Sequence, residues 1–229
     1  MMDHVRDLAS VRDATERLLT AAAKLDNAAV AEPSRLPGWS RGHVLAHLSR
    51  NADALVNVLE GRPMYASAST RDADIERDAP RPLDVQLADL RESGARFAAT
   101  EAAPADWSRT VELRNGVTDS AARVPFRRWV EVDLHHVDLG IGYELEDLPE
   151  EFTAREIDFL AERFAGHKDV PATTLDAGDG RVRTTGGGAE GGPVEVHGPA
   201  ADLLGWLCGR RDGTALTVRG GPLPALPPL

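Results

Sequence analysis

The stretch that most constrains this chain runs from Phe126 to Gly142, FRRWVEVDLHHVDLGIG. Its apolar residues, Val130, Val132, Leu134, Val137, Leu139 and Ile141, are dense enough to predict a helix central to a helical core. On that helix Glu131 and His135 stand one turn apart and share a face. The same spacing also describes an exposed ion pair, which contributes only about 0.2–0.5 kcal/mol. A buried carboxylate and imidazole need partners, and one divalent metal ion can serve both.

A third ligand has to come from another element, and His47, in GWSRGHVLAHLSRNADAL, is the candidate. Its plainer reading is a hydrogen-bonded core histidine. His43, one turn earlier, competes with it as a ligand. Asp138, just past His135, either replaces or supports Glu131. His136 should point off the shared face, because adjacent helical residues lie about 100° apart. Asn51, one turn beyond His47, is placed either to hydrogen-bond a ligand or to brace the fold. A His-Glu-His set leaves coordination positions open, as catalytic rather than structural zinc sites do. Nickel and iron suit the same ligand types.

Around this stretch the periodicity predicts helices over Val5 to Leu25, from an N-cap at Ser40 to Glu60, and over Leu83 to Ala99. Between the second and third of these, residues 63–82 read as a loop with a short helical turn at Arg71 to Arg77. Asn115-Gly116 is a hairpin turn signal, and Pro125 can open the helix that carries Glu131. Four long helices predict an antiparallel bundle, whose sites are built from side chains on facing helices. The composition then changes. A helix at Thr153 to Ala165 precedes short strands at Ala172 to Leu175, Arg181 to Thr185, Val194 to His197 and Leu216 to Val218. A further helix spans Ala200 to Cys208, and the glycine-rich run 186–192 reads as a flexible connection. The expectation is an α+β protein with a helical bundle over residues 1–147 and a smaller domain over 148–229.

A formal net charge of -11 excludes a non-specific nucleic-acid binder, which needs basic surface. Cys208 is the one cysteine, so no intramolecular disulfide can form and a reducing cytoplasm is the expected compartment. The N-terminal MMDHVRDLAS lacks the apolar core of a signal peptide, and no run approaches the roughly 20 apolar residues that span a bilayer. The glycine-rich run lacks a following Lys-Ser/Thr, and no G-x-S-x-G occurs. On sequence alone Arg71 and Arg210 read as surface charges, and Cys208, Trp39, Trp129 and Trp206 as packing residues.

Taken in order, GWSRGHVLAHLSRNADAL, PMYASASTRDADIERD, WVEVDLHHVDLG and the weaker GWLCGRRDG resemble the mycothiol-dependent maleylpyruvate isomerase family. That family lies within the DinB-like bundle superfamily, found largely in actinobacteria. The resemblance covers nearly the whole chain and implies a DinB-like four-helix bundle followed by a small α/β domain. It implies His47, Glu131 and His135 as metal ligands, with Zn2+ (or another divalent metal) and mycothiol as cofactors. Arg71 then falls on a catalytic arginine and Arg210 on another, with Arg211 beside it as the neighbouring choice. Both arginines would contact thiol or substrate, Asn51 assisting.

The implied reaction is cis-trans isomerisation of maleylpyruvate, or a similar diacid, to fumarylpyruvate. Reversible addition of the thiol turns the double bond into a rotatable single bond. Zinc supplies the thiolate at neutral pH. The implied partners are a small thiol and a small diacid or electrophile, with no nucleic acid and no membrane, in a monomer or homodimer. One departure stands out: Asp133-Leu134-His135-His136 replaces the Trp-Ile-His-Ala that the resemblance leads one to expect. The alternatives are a mycothiol S-transferase using the same metal and thiol on an electrophile, and a binding module that the metal merely stabilises. A hydrolase acting through a zinc-bound water is a weaker fourth.

Overall fold

The computed structural model describes residues 3–102 and 106–228; the two terminal methionines and Leu229, included in the expected domain ranges, lie outside them. The chain forms two compact units, Met1–Tyr143 and Glu144–Leu229. Among the described residues the first unit holds helices α1 (His4–Ala22), α2 (Asn27–Ala31), α3 (Arg41–Leu59), α4 (Ala68–Asp78) and α5 (Leu83–Ala98). A hairpin of β1 (Thr110–Glu112) and β2 (Thr118–Ser120) leads to α6 (Val124–Asp138).

The long helices form where the apolar period runs. α1 buries Leu8, Val11 and Leu18, α3 buries Val44, Leu48, Leu55 and Leu59, and α5 buries Leu90 and Phe97. α1 packs on α5 and α6, while α3 packs on α4, α5 and α6. The α3–α6 contact faces the histidine-bearing helix with the one carrying Glu131. Ser40 begins α3, accepting from the His43 N–H while His43 reaches back to the Ser40 N–H. That reciprocal cap sets the phase of the helix and so the direction of His47.

Three local features differ from expectation. α4 is a full helix rather than a short turn. Ser67 caps it by accepting from the Thr70 N–H, but only Ile75 gives it a buried apolar anchor, so no period showed in the sequence. The short α2, capped by Asp26, occupies part of the expected first loop. α6 stops at Asp138 rather than Gly142, because Gly140 turns to φ +63° and donates to the Val137 carbonyl. The predicted hairpin is present, with Asn115 at φ 60° in its turn.

The second unit contains α7 (Glu150–Phe164), β3 (Thr173–Asp176), β4 (Val182–Thr185), β5 (Val194–His197), α8 (Ala200–Leu207) and β6 (Thr217–Arg219). Its sheet has the order β4-β3-β5-β6, with β3 and β5 parallel and the outer pairs antiparallel. Alternation on β5 puts Val194 and Val196 inward, and α7 packs against β4 and α8. The glycine-rich run leaves β4 through a tightly packed residue, Gly186, while most of the rest of it is exposed. A Cβ on Gly186 would lie 2.0 Å from the Pro171 carbonyl oxygen, and the Gly186 N–H donates to Phe164. The whole is an α+β protein, a helical bundle followed by a small sheet domain.

Candidate metal centre

His47 on α3 and Glu131 and His135 on α6 converge within the first unit, each offering one donor atom, all within 4.8 Å of one another. The Nε2 atoms of His47 and His135 approach the same oxygen of Glu131, at 3.0 and 3.3 Å. The two rings meet edge to face at 4.7 Å. A tetrahedral ion with bonds of about 2.0–2.1 Å separates its ligand atoms by roughly 3.3 Å, so this donor set fits a divalent cation. It is the only such group of His, Cys, Asp and Glu among the described residues, and its three ligands leave coordination open.

The electrostatics favour the same use. Burial pushes the His47 pKa down to about 4 against the pull of Glu131, so the ring is neutral near pH 7 and has a lone pair to give. Burial would raise the Glu131 pKa. Hydrogen bonds from His135 and His47 outweigh it and hold the carboxyl well below the usual range. His135 is lowered by burial but raised overall by Asp138 and Glu131. Asp138, fully buried, accepts from His135 Nδ1 at 2.8 Å and so directs Nε2 toward Glu131.

Arg71 projects from α4, with Nη2 3.3 Å from His47 Nδ1 and Nη1 2.7 Å from Asp72. Burial raises the pKa of the half-buried Tyr65, as does the charge of Glu131, while Arg71 and Arg114 pull it the other way. Trp39 closes against the His47 ring at 5.4 Å. Arg128 lies one turn before Glu131 on α6, wholly buried, and its Nη1 donates to Asn51 Oδ1 at 2.8 Å. Asn51 is therefore engaged by a protein side chain.

His43 caps α3 and reaches Glu76 at 3.4 Å instead of joining the triad. Asp138 supports His135 and does not replace Glu131. Of the differing residues in that run, Asp133 and His136 make their contacts away from the triad. Asp133 binds Arg17 at 3.0 Å and Trp129 Nε1 at 2.7 Å, and His136 stacks on Tyr143 at 4.0 Å. Trp39 and Trp129 thus do more than fill space. In the second unit Arg210 donates from Nη1 to the Cys208 carbonyl at 2.9 Å, while Arg211 is held by Asp202 and Glu146. Burial pushes the Cys208 thiol up to about 11, which makes it an inert packing residue.

Sequence reasoning missed Tyr65 and Arg128. Tyr65 sits inside the quoted PMYASAST run, and Arg128 is spaced one turn from Glu131; neither signal distinguishes a site residue from an ordinary one.

No curated protein matches the chain in sequence. A crystal structure of the mycothiol-dependent maleylpyruvate isomerase superposes with a TM-score of 0.88, at 25% identity over 99% of this chain and 97% of that one. A histidine-to-alanine mutant of that isomerase gives the same values. Residues 147–228 match the MDMPI C-terminal domain. Residues 11–140 match the mycothiol maleylpyruvate isomerase N-terminal domain, and the chain belongs to that family.

Proposed function

We propose that this protein is a metal- and mycothiol-dependent cis-trans isomerase of maleylpyruvate or a closely similar diacid. The observation that carries the reading is the convergence of His47, Glu131 and His135, in a chain whose own thiol is buried and inert. The nucleophile must then come from a small-molecule thiol, and a divalent ion held by these three residues would supply its deprotonation at neutral pH.

The protein's own groups do the rest. Asp138 keeps the His135 proton on Nδ1 and its lone pair on Nε2. With His47 Nε2 used to hold the metal, that ring's proton would lie on Nδ1, and Arg71, a donor only, would lose its 3.3 Å partner. With Nη1 still on Asp72, the Nη2 side of the guanidinium would then be available to a substrate carboxylate and to the charge that develops on addition. Trp39 shields His47 from water.

The test is turnover of maleylpyruvate by metal-loaded protein with and without mycothiol, following fumarylpyruvate. The expected result is product only with both metal and thiol. Product without thiol refutes the reading. Thiol uptake without turnover replaces it with thiol transfer to another electrophile.

A further inference from the structure

Arg128 is 0% exposed, yet its one hydrogen bond goes to the neutral Asn51, and no carboxylate lies within 4.0 Å of it among the described residues. Its Nε and Nη2 are both buried, and the described residues supply no acceptor for either. These two nitrogens share one edge of the guanidinium, the edge whose parallel N–H groups match a carboxylate. Burial lowers the pKa to about 10, so the group still carries its charge near neutrality, and the carboxylates whose charge it feels are Glu131 and Asp53. An unpaired buried cation is expensive, and packing alone does not require one here, since an apolar side chain of similar volume would fill the same space.

Position gives the charge a use. Arg128 lies one turn from Glu131 on α6, and Asn51 one turn from His47 on α3. Tyr65 feels both Glu131 and Arg114 and also lines a cavity of about 500 Å³ between the α3–α4 connection and the β1–β2 hairpin. A divalent ion neutralised by one carboxylate leaves the site with surplus positive charge, to which Arg128 adds. In a chain of net charge -11, that surplus selects an anion locally.

We propose that the Nε/Nη2 edge of Arg128 is a carboxylate-binding subsite of this centre, reached from the cavity past Tyr65. The inference rests on the reading of the centre as one that acts on a diacid: Arg71 takes one carboxylate and Arg128 the other.

The probe is maleate, a cis-dicarboxylate without the reactive keto group, titrated calorimetrically into zinc-loaded and zinc-free protein. Arg128→Met should weaken maleate binding at least tenfold with zinc content unchanged. Asn51→Asp, which brings a carboxylate against the guanidinium without changing shape, should do the same and decides the matter if Arg128→Met fails to fold. In the unmodified protein the Arg128 Nε–H resonance should shift on titration. Zinc-free protein should bind more weakly with the same dependence on Arg128, so a failure to retain zinc refutes the metal reading and leaves the subsite measurable. Wild-type-like affinity in the folded variants, an unmoved Nε–H resonance, or no maleate binding at all overturns the subsite and leaves water as the partner of that edge.

Discussion

The two units each bury an arginine and treat it in opposite ways. Arg183, on β4 under α7, is 8% exposed. Its Nε meets Asp158 at 2.6 Å, and Nη1 and Nη2 meet Asp179 at 2.9 and 2.8 Å. The bond from Arg183 and those around it hold Asp179 at about 2, and the arginine is raised in turn. Among the described residues Arg128 has one neutral partner, Asn51, and an edge without an acceptor. The Asp133 cluster, on the same helix as Arg128, resembles Arg183: Arg17 and Trp129 both serve its carboxylate. A charge with its partners supplied by the chain holds structure together. A buried charge left short of partners points to something the chain does not itself contain.

The largest effect should separate the triad from these closed networks. His47→Ala or His135→Ala should each weaken metal binding by at least about 100-fold, measured by metal analysis after dialysis. Full metal retention in either would make the triad one more ion-pair cluster. Next, Arg183→Met should lower unfolding stability by about 2–3 kcal/mol with metal content unchanged, since it strips two carboxylates of charged hydrogen bonds. Arg128→Met should change stability by less than about 1 kcal/mol, because removing an uncompensated buried cation offsets the lost bond to Asn51. Equal losses in urea titrations of the two variants would erase the distinction. Asp138→Asn should cost about tenfold in metal affinity by loosening His135, an effect that competition with a chelating dye can resolve.

The smallest effect is a pH profile. In metal-free protein His47 has a folded pKa of about 4 against an ordinary 6.5, so between these values the unfolded chain binds the extra proton and stability rises with pH. His135 has a raised folded pKa, so its contribution is complete below 6.5 and is lost as pH climbs through the folded value. Glu131, held low, contributes above its ordinary 4.5 and loses that contribution in acid. The urea midpoint should therefore peak near pH 6.5. A midpoint still rising well above that pH would show that His135 is not held protonated.

Much of this was legible in the residues. α1, α3, α5 and α6 each carry an apolar stripe at helical spacing, and Ser40 marks the start of α3; such signals are local, so a sequence displays them. α4 escaped because only Ile75 anchors it, and its stability comes from the Ser67 cap and from packing on α3. Composition likewise does not reveal that Gly186, at the start of the glycine-rich run, is pressed against a carbonyl. The departure at 133–136 suggested an altered site, yet Asp133 and His136 turn toward Arg17 and Tyr143.

By itself, the sequence determined that Glu131 and His135 share a face, because helical geometry ties residues four apart. It also determined that no second cysteine exists to make a disulfide or a cysteine metal cluster. Only the tertiary structure decided that His47 rather than His43 meets them, since that depends on the phase at which α3 packs on α6. It also decided that Arg128, one of two adjacent arginines in FRRW, is the buried one: Arg127 pairs with Asp119 at 2.7 Å, while Arg128 turns into the α3–α6 contact. Burial and partners come from elements distant in the chain, and those set what a charge costs and what it can bind.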